Sequence, residues 1–220
     1  FSPMLLPRLP QTSPLYAPSP ALLRLLETSR VVLGSASASR ATILNQASVP
    51  FRVLKPNIDE KAIRFSNPVE LVSALARAKT QALLDMKPEC DFLIACDQVV
   101  VCDGEICEKP ESKEEATERW RAYRTHHPST VGSILVTHMP SGRQKLALDK
   151  AVIKIEPLSD EDIQALVDEG EIMYCAGGLM VEHPLVAPNV TQIEGGIDSV
   201  LGLGMATVED LILSVSGAED

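Results

Sequence analysis

The chain has 220 residues, 45% of them apolar and 23% charged, which is enough to bury the core of one large domain or of two small lobes. Twenty Lys and Arg stand against 30 Asp and Glu, and this net charge of −10 argues against a duplex nucleic-acid binder built on a general basic surface. No apolar run reaches the roughly 18 residues of a membrane span, so no membrane contact is expected. A few placed cations in a cleft still suffice for an anionic small molecule.

The first 29 residues differ from the rest. Residues 1–20 hold six prolines and no glycine, which predicts an extended, poorly ordered arm. No long apolar segment supports a secretory signal. Arg8 and Arg24 among few acids leave a transit-peptide reading open. Residues 21–27 add a short helical turn within this arm of residues 1–29, and residues 30–220 form the folded domain.

From Arg30 onward the pattern is α/β. Val31-Val32-Leu33-Gly34 predicts a buried strand, followed by a helix to about Gln46. A second strand is expected over 51–54. Asn67-Pro68-Val69-Glu70 is a helix start, with an Asn cap and Pro at the first turn, and the helix runs to about Met86. Residues 92–102 read as a long apolar strand broken by Asp97-Gln98, and Asp103-Gly104 as a hairpin turn. Ser112 caps the next helix, which places Ala116, Trp120 and Tyr123 on one face. Strands are expected over 130–137 and 145–156, joined through Pro140-Ser141-Gly142. Ser159 starts a further helix and Gly170 ends it. Residues 198–204 read as a loop and 205–215 as the last helix.

Several of these residues suit chemistry. Ser35, Ser37 and Arg40 stand where a strand turns into a helix, a place that attracts phosphate. Ordinary capping with a surface Arg is the other reading. Asp97 sits inside an apolar strand, where a carboxylate is costly without a cation or donors. A general base or metal ligand explains that cost. Lys79 falls on the apolar stripe of Leu71, Leu75, Leu83 and Met86, so it either snorkels or faces an anion. Lys109 in Glu108-Lys109-Pro110 is a phosphate contact or a solvated loop residue. Asp59-Glu60 is a divalent-cation site with waters or an exposed acidic turn. The four histidines lack metal-ligand spacing and read as non-catalytic. Asp149, Asp160, Glu161, Asp162, Asp168 and Glu169 read as solvated carboxylates. The five cysteines form no C-x-x-C pair, which suits free thiols in a reducing, cytoplasmic setting.

In this order the motifs resemble the Maf family of nucleoside triphosphate pyrophosphatases. They are Ser35-Ala36-Ser37-Ala38-Ser39-Arg40, Asp59-Glu60, Arg77-Ala78-Lys79, Asp97-Gln98, Glu108-Lys109-Pro110, Cys175-Ala176-Gly177-Gly178 and Val200-Leu201-Gly202-Leu203. The resemblance implies the inosine-triphosphatase-like architecture: a long, bent mixed sheet flanked by helices, in two lobes with a cleft between. It also implies attack of water at the α-phosphorus and release of pyrophosphate, with a divalent cation (Mg²⁺ or Mn²⁺) required. By resemblance Asp97 is the proton acceptor, and Glu60 and Asp97 hold the metal. Lys79 joins the catalytic set. Ser35, Ser37, Ser39, Arg40, Gln98, Lys109 and Glu182 bind substrate. A homodimer is allowed by resemblance alone.

The subfamily marks are mixed. The dTTP/UTP type has Arg before the first motif's last Arg, Thr after the catalytic Asp, and a later Gln. The type resembling 7-methyl-GTP pyrophosphatases has Gln after the Asp and a later Glu. Here the three positions hold Ser39, Gln98 and Glu182, so two match the second type. A carboxylate such as Glu182 suits a guanine edge, and a cationic N7-methylated base above all. Ala38, Glu108 and His183-Pro184 depart from the family pattern. Two other classes stay open: a non-catalytic nucleotide-binding regulator of septum formation, and a thiol redox protein using Cys96, Cys102 or Cys107.

Overall fold

A computed structural model of the chain describes residues 16–217. The first 15 residues of the expected arm lie outside these. In the rest of that stretch the short helical turn expected over 21–27 is present. Pro20–Leu26 is a helix (α1), capped by Ser19, whose Oγ accepts from the Leu22 N–H at 3.1 Å. Its Leu22 and Leu26 are buried in the main core. Proline at the first helical turn has no N–H to lose there, so it starts this helix instead of extending the chain. The ordered fold thus begins before Arg30.

The elements that follow are β1 (Val31–Gly34), α2 (Ala38–Gln46), β2 (Phe51–Val53), α3 (Pro68–Asp85), β3 (Phe92–Cys102), β4 (Glu105–Cys107) and α4 (Lys113–Ala122). Next come β5 (Ser129–His138), β6 (Arg143–Ile155), α5 (Asp160–Glu169), β7 (Val190–Glu194), α6 (Ile197–Val200) and α7 (Met205–Ser216). Among the described residues the seven strands form one mixed sheet, in the order β2-β1-β3-β5-β6-β7, with β4 paired to β3. β1 runs parallel to both β2 and β3, whereas β4 and β7 are antiparallel to their partners. This is the α/β fold with a mixed sheet and flanking helices that the motifs imply.

The chain divides into two compact units. Among the described residues, one is drawn from 16–98, 131–150 and 197–217. Its core shows why β1 and the first half of β3 read as unbroken apolar runs: both faces are covered. Val31, Leu33, Phe92, Ile94 and Cys96 face a cluster with α1, α2 and α7. Val32, Leu93 and Ala95 face Leu83 of α3 on the other side. Asn67 caps α3 as expected, its Oδ1 accepting from the Val69 N–H at 2.9 Å. Met86 does not continue the stripe: it is 51% exposed just past the helix end.

The other unit is drawn from Val99–Thr130 and Ala151–Gly196. Here α4 and α5 pack together, burying Ala116, Trp120, Ile163, Leu166 and Val167. Trp120 and Tyr123 meet edge to face at 5.4 Å. Asp103 and Gly104, at φ 50° and 81°, make the expected hairpin from β3 to β4. β7 and the short α6 were not legible; the sequence reads the latter only as loop.

Candidate active site

The strand period of two builds the centre of the site. β3 is continuous, not broken at Asp97-Gln98; the two polar residues project to opposite faces. Asp97 follows Leu93 and Ala95 toward α3. On that helix Lys79 lies one turn from Leu83, on the same buried stripe. The two side chains meet: Lys79 Nζ donates to Asp97 Oδ1 at 2.5 Å, with the side chains only 8% and 10% exposed. The same ammonium lies 3.2 Å from Oε1 of Glu60, which is 54% exposed on the 3-10 turn Glu60–Ala62. The three residues of the expected catalytic set are thereby brought together. Burial pushes the Asp97 carboxyl up from its ordinary value, while Lys79 and Arg40 pull it back. The lysine is thus no snorkelling side chain; it is the internal counter-ion of a buried carboxylate.

The turn from β1 to α2 lies beside this pair. Ser37 caps α2, accepting from the Arg40 N–H, and Ser39 Oγ is 3.2 Å from Ser37 Oγ. Ser35 is buried at the end of the strand. Its Oγ accepts from Arg40 Nη1 at 3.2 Å, and that nitrogen also lies 3.3 Å from Cys96 O. Arg40 Nε donates to Gly202 O at 3.0 Å. Gln98, on the face opposite Asp97, gives its Nε2–H to Ser199 O at 2.6 Å. Ser35, Ser37, Ser39 and Arg40 are therefore linked in one hydrogen-bonded group, and Arg40 carries it to the Cys96 carbonyl next to Asp97. Gln98 and Arg40 are both braced against the stretch 197–204.

The remaining two expected residues, Lys109 and Glu182, belong to the other unit. Lys109 is exposed in a loop that is firmly held. Glu108 O accepts from the Gly177 N–H at 2.9 Å and from the Arg119 guanidinium. Glu108 in place of a glycine thus keeps its backbone tied to the glycine-rich segment. Gly177 is required there. Its φ is +64°, and a Cβ would lie 2.6 Å from Tyr123 Oη and 2.8 Å from Val100 Cβ. Tyr123 Oη–H and Trp120 Nε1–H donate to the carbonyls of Gly177 and Gly178 at 2.7 and 3.0 Å. Beside this segment both Glu182 and Lys109 act on the Cys175 thiol, with opposite signs. Burial holds the Glu182 carboxyl above its usual range.

Other expectations sort as follows. Asp160 pairs with Arg124 at 2.8 Å and Asp168 with Lys113 at 2.6 Å, as solvated carboxylates do. Asp149 does not: it is half-buried and accepts from Ser199 Oγ–H at 2.8 Å and Gly204 N–H at 3.0 Å. The alternation that turns Ala151, Ile153 and Ile155 inward also turns Asp149 inward, and that signal was present in the sequence. His183 is structural. Its Nδ1 accepts from the Leu185 N–H, so Nε2–H donates to Glu169 at 2.8 Å. All five thiols are free, and burial pushes each one up, Cys102 and Cys175 to about 11. Such thiols are poor nucleophiles, which weighs against the redox reading.

Among the described residues no cluster of three or more His, Cys, Asp or Glu is shaped for a metal, and no helix is long and apolar enough to cross a membrane. Comparison with known proteins gives a consistent result. The chain is 38% identical over 197 residues to a 7-methyl-GTP pyrophosphatase of Dictyostelium discoideum, covering 86% of this chain and 99% of that protein. It is 36% identical over 182 residues to a nucleoside triphosphate pyrophosphatase of Synechococcus sp. (strain CC9605), covering 79% and 96%. A nucleoside triphosphate pyrophosphatase of Streptomyces coelicolor is 34% identical over 185 residues, covering 83% and 89%. The family described as Maf-like protein matches residues 30–215, from the first strand through the last helix, and the chain belongs to that family.

Proposed function

We propose that the chain is a nucleoside triphosphate pyrophosphatase that removes 7-methyl-GTP or a similarly modified nucleotide from the cellular pool. The observation that carries this is the Lys79 ammonium set between the carboxylates of Asp97 and Glu60, with Arg40 and Ser35 alongside. Its relatives bear the matching names.

In this reading Lys79 holds Oδ1 of Asp97, and Oδ2 takes the proton of the attacking water. The water oxygen bonds to the α-phosphorus. The α–β anhydride bond breaks, and its electron pair leaves with pyrophosphate. Arg40, Ser35, Ser37 and Ser39 offer donors to the phosphates, which suits charge developing on the leaving group. In the other unit, Lys109 is assigned to phosphate and Glu182 to a guanine edge, each by resemblance. A divalent cation is part of the proposal. Glu60 and Asp97 offer two carboxylates, the share of ligands Mg²⁺ takes from protein beside waters and phosphate oxygens. Such an ion would neutralise charge on the triphosphate.

The test is release of pyrophosphate from a panel of nucleotides, 7-methyl-GTP, GTP, dTTP and UTP, with Mg²⁺ or Mn²⁺ and with EDTA. Pyrophosphate and 7-methyl-GMP, formed only with metal, are expected. Orthophosphate as the first product, or binding without turnover, overturns the reading and favours the regulatory alternative. Preference for dTTP and UTP moves the chain to the other subfamily. Cytoplasmic residence and a homodimer complete the proposal. Free thiols suit a reducing compartment, and fractionation and light scattering read the two points.

A further inference from the structure

The Asp149 carboxylate on β6 is half-buried and is satisfied by donors. Ser199 Oγ–H reaches Oδ1 at 2.8 Å and Gly204 N–H reaches Oδ2 at 3.0 Å. Burial pushes this carboxyl up, and the hydrogen bonds from Ser199 and Gly204 draw it back. A carboxylate in such a place is costly unless its donors are well fixed. Both donors belong to the stretch 197–204, which joins β7 to α7.

The same stretch turns its carbonyls toward the phosphate-facing residues. Ser199 O accepts from Gln98 at 2.6 Å and Gly202 O from Arg40 at 3.0 Å. Arg40 continues to Ser35 Oγ and to Cys96 O, next to Asp97. There is little slack in the chain of contacts. A Cβ on Gly204 would run into the Asp149 carboxylate and come within 2.7 Å of Ser199 Oγ; one on Gly202 would be 3.2 Å from Arg40 Nε. At the far end Asp198 Oδ2 accepts from the Met205 N–H at 2.6 Å and fastens the stretch to α7.

We propose that Asp149 is a positioning residue for phosphate binding: it clamps the 197–204 stretch, whose carbonyls set Arg40 and Gln98 beside Asp97. The inference rests on the reading that Arg40 takes phosphate. Its action is indirect, since Asp149 touches Ser199 and Gly204 and not the residues assigned to substrate.

The test compares D149A, D149N and S199A with the unaltered protein in three readouts. The first is the rate at which phenylglyoxal modifies Arg40, followed by mass spectrometry. The second is affinity for inorganic pyrophosphate by calorimetry. The third is kcat and KM on 7-methyl-GTP. D149A is expected to speed Arg40 modification and to raise the pyrophosphate Kd and the KM about tenfold, with kcat changed less than about threefold. D149N keeps one acceptor oxygen for one of the two donors, and S199A removes one donor only, so both give smaller shifts in the same direction. Thermal unfolding identifies any variant that fails to fold, and S199A then carries the test. Unchanged Arg40 reactivity and pyrophosphate affinity in folded variants overturn the inference. A protein that hydrolyses no nucleotide refutes the proposed activity instead, and the clamp is then decided by the first two readouts alone.

Discussion

Nζ of Lys79 and Oδ1 of Asp97 lie 2.5 Å apart with their side chains 8% and 10% exposed, so an ammonium and a carboxylate share one buried position between α3 and β3. Removing one partner strands the other charge. Lys79→Met is expected to destabilise the protein by about 3 kcal/mol, because the buried carboxylate loses its counter-ion. Asp97→Asn strands the ammonium, which has Glu60 as a second partner at 3.2 Å, and therefore costs less. Combining the two restores much of the stability but no activity. Urea titrations of the three variants measure the coupling. Asp97→Asn should also lower kcat by about a hundredfold or more as the base is lost. Unimpaired turnover in that variant would falsify the assignment of Asp97.

Glu182 allows a prediction with a defined pH window. Burial lifts its carboxyl above the ordinary 4.5, and a hydrogen bond from its own backbone N–H only partly offsets this. The native state therefore keeps the proton longer than the unfolded chain. As pH rises through the window that begins near 4.5, stability is lost, and above the folded-state value the loss is complete. Glu182→Gln has no charge to bury. It should melt at a higher temperature than the unaltered protein near pH 8 and gain nothing near pH 4. In activity the order reverses, with preference for 7-methyl-GTP over GTP falling about tenfold as a charged acceptor is lost. Equal melting curves at both pH values would place the carboxylate in solvent.

The thiols should be slow to react. With Cys102 and Cys175 pushed up to about 11, their thiolates are a very small fraction at neutral pH. Iodoacetamide on the native protein is expected to leave Cys90, Cys96, Cys102 and Cys107 unmodified, since all four are buried. All five react once the protein is unfolded. Activity that falls in step with modification of a single cysteine would reopen the redox alternative.

The contribution of α1 can be measured directly. Leu22 is fully buried in the core shared with α7. Leu22→Ala is expected to cost about 3 kcal/mol through lost transfer free energy and the cavity left behind. Exposed Leu23, 41% accessible on the same helix, serves as the control, and Leu23→Ala should change little. Equal melting temperatures for the two variants would return α1 to the arm.

The sequence was most informative where one local rule governs. Caps at Ser37, Asn67, Ser112 and Ser159 fall where the hydrogen-bonding residues suggest, because capping needs only neighbours in the chain. Lys79 and Asp97 were legible because each violates the polarity of its own stripe. Glu60 has no such mark, and only the motif order pointed to it. The helical turn after the prolines was legible, but Pro20, read as the end of the extended stretch, is itself the first residue of that helix. The inward turn of Asp149 was legible from its alternation with Ala151, Ile153 and Ile155, but its partners, Ser199 and Gly204, lie 50 and 55 residues away. No spacing rule reaches that far.

The alternation along β3 limits how this family can change its length. Successive side chains serve different neighbours: Cys96 packs with the core of α1, α2 and α7, Asp97 meets α3, and Gln98 meets the stretch 197–204. One residue inserted or deleted before Asp97 within the strand would shift these assignments. A deletion would offer the Gln98 amide to Lys79 and turn the carboxylate into the core beside α1, α2 and α7, and an insertion would present the carboxylate to the Ser199 carbonyl. Length variation among relatives should therefore collect at hairpins such as Asp103-Gly104, where an added residue leaves that alternation untouched. The spacing between the first strand pair and the Asp97 carboxylate is held by geometry, whichever nucleotide a member of the family prefers.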